Sequence, residues 1–143
     1  MNAGIWTARA LALVGFADAA YLTATHYAGA PVFCGASGGC ETVLTSEYAT
    51  VGPIPIALLG VAYYAVASLL AWTPRGAWSP GVAGALAGLT GLGLAASGTL
   101  VWIQASVLEA WCRFCLGSAT ITALLFVTAL WLVARGRAEP APG

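Results

Sequence analysis

The sequence predicts an all-α integral membrane protein, a bundle of four transmembrane helices with a short extracytoplasmic loop helix between spans 1 and 2. Three observations lead to this fold class. Of the 143 residues, 60% are hydrophobic and only 7% are charged, whereas a soluble domain carries about 25% charged residues. Apolar runs recur near the length of about 20 residues that a bilayer core requires. Arg9, Arg75, Arg135 and Arg137 lie at positions that an even number of spans places on one side.

The apolar runs define the spans. We place them at about residues 5–27, 55–73, 81–103 and 112–134. The first run is too long for a cleaved signal peptide and carries Asp18 and His26,. In the third, Gly84 and Gly88 form a small-xxx-small pair that we expect to pack against a neighbouring helix. We expect residues 1–143 to form a single membrane domain with no fused thioredoxin-like domain, so that any soluble redox partner is a separate protein.

Arginine placement predicts the orientation. Arg9 lies in the first turns of span 1, Arg75 lies between spans 2 and 3, and Arg135 and Arg137 follow span 4. The positive-inside rule makes this side cytoplasmic. We therefore expect both termini in the cytoplasm and the cysteines on the extracytoplasmic side. Zero net charge and the absence of lysine argue against a nucleic-acid-binding protein, since no basic patch is available for phosphates,.

The four cysteines form two close pairs, Cys34 with Cys40 and Cys112 with Cys115. The second pair begins span 4, where the free N–H groups and dipole of a helix N-terminus favour a thiolate. Arg113 adds a positive charge beside it. The first pair brackets the glycine-rich segment 35–39, which we expect to be flexible. Because the thiolate is the form that attacks disulfides, the pattern favours a redox-active dithiol at a membrane surface.

A different class of protein remains open from these residues. The cysteines of a non-catalytic membrane protein would only form structural disulfides, or would hold zinc through four thiolates. The six-residue separation of Cys34 and Cys40 is wider than the usual zinc-ligand spacing, and the glycines between them suit motion better than a closed cage. We therefore expect no bound metal.

Several motifs follow one another in an order that is more specific than any one of them. They are Asp18-x-x-Tyr21-Leu22-Thr23, Cys34-x5-Cys40, Ser46-Glu47-Tyr48, Ile54-Pro55-Ile56-Ala57-Leu58-Leu59-Gly60 with Tyr63, and Cys112-x-x-Cys115. In this order the chain resembles the bacterial vitamin K epoxide reductase homologues over nearly its whole length. A second family of bacterial four-helix disulfide oxidases carries its Cys-x-x-Cys in the first outer loop, and fits less well.

The resemblance implies an enzyme of the bacterial inner membrane that supports disulfide bond formation. Such an enzyme oxidises a separate thioredoxin-like protein and passes the electrons to a quinone, menaquinone or ubiquinone, held beneath the outer surface. It implies that Cys34 takes electrons from the partner through a mixed disulfide. Cys40 then attacks Cys112, and Cys115, nearest the quinone, hands over two electrons as the Cys112–Cys115 disulfide re-forms.

The resemblance also suggests which residues surround the quinone. The expected contacts are Leu44, Tyr48, Ile56, Leu59, Tyr63 and Ala119. Animal members have Asn and Tyr at the positions of Ile56 and Ala119, both touching quinone oxygens, so quinone reduction is expected here rather than epoxide reduction. An ionisable residue within a span suggests function, and Asp18 is expected either to supply protons to the reduced quinone or to be a protonated, hydrogen-bonded packing residue.

Overall fold

The structure is a computed structural model that describes residues 2–32, 34 and 39–138. Long helices dominate it, joined by short helical turns and one small hairpin. The elements in chain order are helix α1 (Asn2–Ala28), helix α2 (Gly39–Leu44), a 3₁₀ turn (Glu47–Ala49), strands β1 (Thr50–Val51) and β2 (Ile54–Pro55), helix α3 (Ile56–Ala71), a second 3₁₀ turn (Arg75–Ala77), helix α4 (Pro80–Ile103), a π-helical turn (Gln104–Leu108) and helix α5 (Arg113–Ala138).

Three of these helical segments are long and apolar enough to cross a membrane: Asn2–Ala28, Pro80–Leu108 and Arg113–Ala138. They correspond to predicted spans 1, 3 and 4. Helix α3, in the region of predicted span 2, has 16 residues and is therefore only about 24 Å long. That is shorter than the hydrocarbon core of about 30 Å. The chain is thus a multi-pass membrane protein in which three spanning helices accompany one shorter apolar helix.

The chain enters α3 through a small antiparallel hairpin. Strand β1 pairs with β2, with Thr50 opposite Pro55. Gly52, in the turn between the strands, has φ +61°, a left-handed conformation that glycine adopts without steric cost. Pro55 is the N-cap residue of α3. Its fixed φ and missing N–H make proline compatible with such a helix start.

The helices pack closely because small residues lie between them. Helix α1 packs against α3 and α5, and α4 packs against α5. At Gly15 on α1, an added Cβ would overlap the ring of Tyr64 on α3. The Tyr64 hydroxyl in turn lies 2.8 Å from Ser118 Oγ and 3.1 Å from Thr122 Oγ1 on α5. The main core consists largely of alanine and leucine around this tyrosine: Ala8, Ala12, Ala19, Tyr64, Ala67, Ala71, Leu86, Ala87, Leu125 and Ala129.

The predicted packing of Gly84 and Gly88 is wrong. Both glycines face outward, and an added Cβ at either would meet nothing within 4 Å. The buried face of α4 carries Ala83, Leu86 and Ala87 instead. Leucines on the outer faces are widely exposed, as at Leu69 (74%) and Leu130 (47%), which is the arrangement expected of a surface solvated by lipid chains.

One buried charge stabilises the end of the bundle opposite the cysteines. Arg9 of α1 donates from Nε to the carbonyl oxygen of Ala71 at 2.9 Å and from Nη2 to that of Thr73 at 3.2 Å. Its guanidinium also lies over the rings of Trp6 and Trp72, about 5 Å from each centroid. These contacts satisfy the exposed carbonyls at the end of α3 and attach that end to α1.

Candidate active site

All four cysteines meet in one apolar cluster. Cys34 and Cys40 form a disulfide with a Cα–Cα distance of 5.9 Å, whereas Cys112 and Cys115 are free thiols. Cys34, Cys40 and Cys112 are buried together with Val43 of α2, and Cys115 packs against them. Residues distant in sequence are therefore brought together in an arrangement that suits exchange of disulfide bonds between the pairs.

Gly39 explains how the two pairs approach. An added Cβ at Gly39 would overlap the backbone carbonyl oxygen of Trp111. Gly39 directly precedes Cys40 and Trp111 directly precedes Cys112, so this backbone contact brings the two cysteine-bearing segments side by side. Sequence analysis assigned Gly39 only to a flexible linker. The remainder of that linker, residues 35–38, lies outside the described residues.

The N-terminus of α5 sets the chemistry of Cys112. The Cys112 carbonyl accepts the N–H of Leu116 at 3.0 Å, which makes Cys112 the N-cap residue. A hydrogen bond from Cys115 lowers the pKa of the Cys112 thiol to about 7, helped by the N–H groups of Cys115 and Phe114 and opposed by burial. The lowered pKa agrees with the expectation for a helix terminus. Its source is hydrogen bonding rather than the charge of Arg113, which is exposed.

A buried glutamine fixes the approach to Cys112. Gln104 Oε1 accepts the backbone N–H of Cys112 at 2.8 Å, and Gln104 is only 2% exposed. Its own carbonyl oxygen accepts the N–H groups of Glu109 and Ala110. Glu109 has φ 49°, an uncommon left-handed conformation for a residue other than glycine. The π-helical turn and this left-handed residue together turn the chain from α4 into α5.

A large, mainly apolar cavity borders Cys115. Its volume is about 1280 Å³, which exceeds the roughly 300–1,000 Å³ of sites for drug-sized ligands. It lies next to the cysteine cluster, between α2 and the ends of the long helices nearest the cysteines. Cys115, Ser118 and Thr122 line it along successive turns of α5, and Gln104 lines it from the π-helical turn. A flat, hydrophobic molecule with a few polar atoms fits a space of this size and lining.

Most of the residues predicted to contact a quinone line this cavity. Leu44, Tyr48, Ile56, Leu59 and Tyr63 are all among its lining residues. The sixth, Ala119, is not among them. Its neighbour Ser118 lines the cavity, as does Thr122 one turn further on. The helical register of α5 therefore directs Ala119 elsewhere, and sequence position alone did not resolve this difference of one residue.

Two polar atoms at the cavity have no ordinary hydrogen bond within the described part of the chain. Asp18 Oδ2 is buried without a partner there, which is unfavourable unless a ligand or water supplies one. The Tyr63 hydroxyl lies near Thr122 but makes no hydrogen bond of standard geometry. Asp18 also lines a second cavity of about 340 Å³, shared with Arg113. The packing role considered for Asp18 requires hydrogen bonds, and Oδ2 makes none with the residues described.

Sequence reasoning missed several residues of the site. Gln104 and Ser118 lie within apolar spans, and their polarity is the one available signal. The importance of Gly39 and of Tyr64 depends on a contact with a residue far along the chain. Over residues 2–32, 34 and 39–138, no group of three or more His, Cys, Asp and Glu side chains is arranged to hold a metal ion.

Comparison with known proteins agrees with this geometry. The model of the vitamin K epoxide reductase family matches residues 6–130. The chain is also 33% identical, over 117 residues, to the thiol-disulfide oxidoreductase LTO1 of Arabidopsis thaliana. That match covers 76% of this chain and 31% of the plant protein, so the chain spans about a third of the length of this relative.

Proposed function

The chain belongs to the vitamin K epoxide reductase family, and on this premise we propose that it is a membrane thiol–quinone oxidoreductase. It oxidises a separate thioredoxin-like protein and reduces a quinone, thereby supporting disulfide bond formation. One observation carries the proposal: Cys115 borders a large apolar cavity and is paired with Cys112, which shares a buried cluster with the Cys34–Cys40 disulfide. The name of the plant relative, a thiol-disulfide oxidoreductase, supports the same chemistry.

The proposed topology has four spans in a bacterial inner membrane, with both termini in the cytoplasm. Helix α3 crosses together with the residues that flank it, since the exposed side chains of Ile54 and Trp72 extend its apolar surface at either end. Arg9, Arg75, Arg135 and Arg137 then lie on the cytoplasmic side, as the positive-inside rule requires. The cysteine cluster and the short helix α2 lie on the extracytoplasmic side, where a soluble donor reaches them.

The outer disulfide receives electrons first. A thiolate of the partner attacks Cys34, which breaks the Cys34–Cys40 bond and releases the Cys40 thiolate. The second thiol of the partner resolves the mixed disulfide, so the partner leaves as a disulfide and Cys34 and Cys40 remain as a dithiol. Each exchange breaks one S–S bond and forms one, and two electrons enter the chain.

The inner pair receives these electrons by the same chemistry. Cys40 attacks Cys112 of a Cys112–Cys115 disulfide, which frees Cys115. Cys34 then attacks Cys40, and the outer disulfide re-forms as Cys112 leaves. The lowered pKa of Cys112 favours its departure, because a thiol of low pKa is the better leaving group in disulfide exchange. The outcome is an oxidised outer pair and a reduced inner pair, which is the state of the structure.

The inner dithiol then reduces the molecule in the cavity. A quinone accepts two electrons and two protons and becomes a quinol. The Cys112 thiolate and the Cys115 thiol provide two electrons and one proton as their disulfide forms, and Asp18 donates the second proton from within the lining. The apolar wall of the cavity excludes bulk water. Ile56, which lines the cavity at the position where animal members have Asn, provides no polar contact to an epoxide oxygen, so the proposal is limited to quinone reduction.

The alternative is a protein whose cysteines only stabilise loops or bind zinc. A turnover assay on the purified protein separates the two. We expect added quinone to be reduced, with Cys112 and Cys115 cycling between dithiol and disulfide, when dithiothreitol or a reduced thioredoxin-like protein is supplied. A preparation that contains stoichiometric zinc, or whose inner thiols stay reduced under excess quinone, would contradict the proposal.

A further inference from the structure

The π-helical turn at the end of α4 places one side chain at the point where the two cysteine pairs meet. Gln104 is the first residue of this turn, and its carbonyl oxygen accepts two N–H groups from the segment that leads to α5. Its side-chain oxygen accepts a third, the N–H of Cys112. π-helical turns inside longer helices are often found at functional sites.

We propose that Gln104 is a positioning residue for disulfide exchange: it fixes the backbone of Cys112, so that the sulfur changes partner by side-chain rotation alone. This role rests on the proposed function, because it concerns the Cys112 sulfur that must bond first to Cys40 and then to Cys115. Gln104 takes no electrons and forms no bond to sulfur. Its contribution is to keep the distances between the sulfurs short.

Gln104 can hold this backbone because the buried N–H of Cys112 requires a hydrogen-bond acceptor. The N–H of an N-cap residue has no partner within its own helix, and the Cys112 N–H is buried. Without Gln104 Oε1 this group would be left unsatisfied, which is unfavourable enough to shift the local backbone. A shift at residue 112 would also move its sulfur away from the N–H groups of Phe114 and Cys115, which act on that sulfur.

The same residue also borders the cavity next to Cys115. Gln104 therefore holds the backbone of Cys112 from the cavity side, where the proposed electron acceptor binds. Val107, in the same π-helical turn, is 45% exposed and is not among the residues that line the cavity. Val107→Met is therefore a matched control that introduces the same side chain into this turn without removing the acceptor for the Cys112 N–H.

The first test uses the unaltered protein and amide hydrogen exchange resolved at Cys112. The Cys112 amide should be protected to a similar degree whether the inner pair is a dithiol or a disulfide. Exchange in either state at the rate of an exposed loop amide would overturn the proposal. This measurement needs no quinone turnover, so it can fail while the proposed enzyme activity stands.

The second test is Gln104→Met, which keeps the length of the side chain and removes the acceptor. The ¹³Cβ resonance of Cys112, followed against pH in protein labelled at cysteine, reports its thiolate. The apparent pKa should rise by about one unit, which leaves roughly fivefold less thiolate at pH 7. The other ionisable groups that act on Cys112, which are Cys115 on α5 and Asp18 on α1, are unchanged by the substitution.

The activity of this variant gives a further readout. Transfer of electrons from Cys40 to Cys112 should slow by about tenfold in Gln104→Met and remain within twofold in Val107→Met. An unchanged titration of Cys112 together with unchanged transfer in Gln104→Met would refute the positioning role. Equal losses in both variants would also refute it, because they would assign the effect to any change in the π-helical turn and not to the hydrogen bond of Gln104.

Discussion

The two ends of the bundle are held together in different ways. At one end the Arg9 guanidinium joins α1 to the last carbonyls of α3 and lies against two tryptophans. At the other end the Cys34–Cys40 disulfide connects α2 to residue 34, the free thiols of Cys112 and Cys115 pack against it in one cluster, and the hydrogen bond from Cys112 to Gln104 joins the start of α5 to the π-helical turn. Every contact of Arg9 can persist throughout a reaction cycle, whereas the proposed relay requires the sulfur bonds to break and re-form.

This difference shows where rigidity is required. The arginine end forms stable contacts between helices, so a change there should alter folding stability with little effect on chemistry. In the proposed relay the cysteine end exchanges covalent bonds within a frame that Gly39, Gln104 and the π-helical turn provide. A change there should alter rates with less effect on stability. The predictions below test this division, starting from the largest expected effect on turnover.

Removing the inner thiol should have the largest effect. In Cys115→Ala the inner disulfide cannot form, and quinone reduction should fall on the order of 10³-fold or more with any donor. Cys34→Ala should lose turnover mainly with a thioredoxin-like protein and retain it with dithiothreitol, which can reduce the inner pair directly. Steady-state assays with both donors measure this contrast. Similar activity in the two variants with both donors would argue against an ordered relay.

Asp18→Asn should reduce turnover roughly tenfold to a hundredfold, because a positioned acid accelerates proton transfer by about 10²–10⁴-fold and water can replace part of its action. Folding should be unaffected, since Asn has the same shape and Oδ2 makes no hydrogen bond with the described residues. The matched control is Glu47→Gln, an exposed carboxylate on the rim of the cavity. Full turnover in Asp18→Asn would remove the proton role.

Gly39→Ala should slow the exchange between Cys40 and Cys112 by about tenfold, since the new Cβ would overlap the Trp111 carbonyl oxygen, and exchange depends on the access of one sulfur to the other. Rapid mixing with a reduced donor, followed by thiol trapping and mass spectrometry, measures the Cys40–Cys112 species. Gly84→Ala is the control, because a Cβ there meets nothing. Undiminished exchange in Gly39→Ala would show that this close approach is not needed.

Arg9→Gln should have the smallest effect on turnover and a clear effect on stability. Loss of hydrogen bonds from a charged group to two carbonyls should lower the free energy of unfolding by about 2–4 kcal/mol. The turnover of the protein that remains folded should stay within twofold. Thermal unfolding in detergent, with Arg75→Gln as an exposed control, tests this. Strongly reduced turnover at unchanged stability would mean that the arginine end takes part in the reaction.

Much of this architecture follows from local patterns that the sequence states directly. The low content of charged residues predicts a lipid-exposed surface, and the apolar runs locate the long helices to within a few residues. The order of the cysteine pairs and of the motifs between them predicts the family, which the match over residues 6–130 confirms. Cys112 at a helix start predicts a lowered pKa, and hydrogen bonding at that site provides it.

Other features could not be read from local patterns. Helix α3 (Ile56–Ala71) is shorter than the predicted span 55–73 by one residue at its start, where the hairpin and the N-cap Pro55 precede it, and by two at its end, where Trp72 is the C-cap. The polar character of Gln104 is visible in the sequence, but its partner Cys112 depends on the path of the π-helical turn. Ala119 and Ser118 are neighbours in sequence, and only the rotation of α5 within the bundle decides which of them lines the cavity.

The sequence by itself determined a lipid-embedded helical protein with two thiol pairs, because hydrophobicity and residue spacing act over a few turns of chain. The tertiary structure decided which backbone approaches which sulfur. The contact between Gly39 and Trp111, the hydrogen bond between Gln104 and Cys112, and the cavity beside Cys115 depend on how helices are rotated and how close they come. Those quantities result from packing over the whole bundle, and no single segment encodes them.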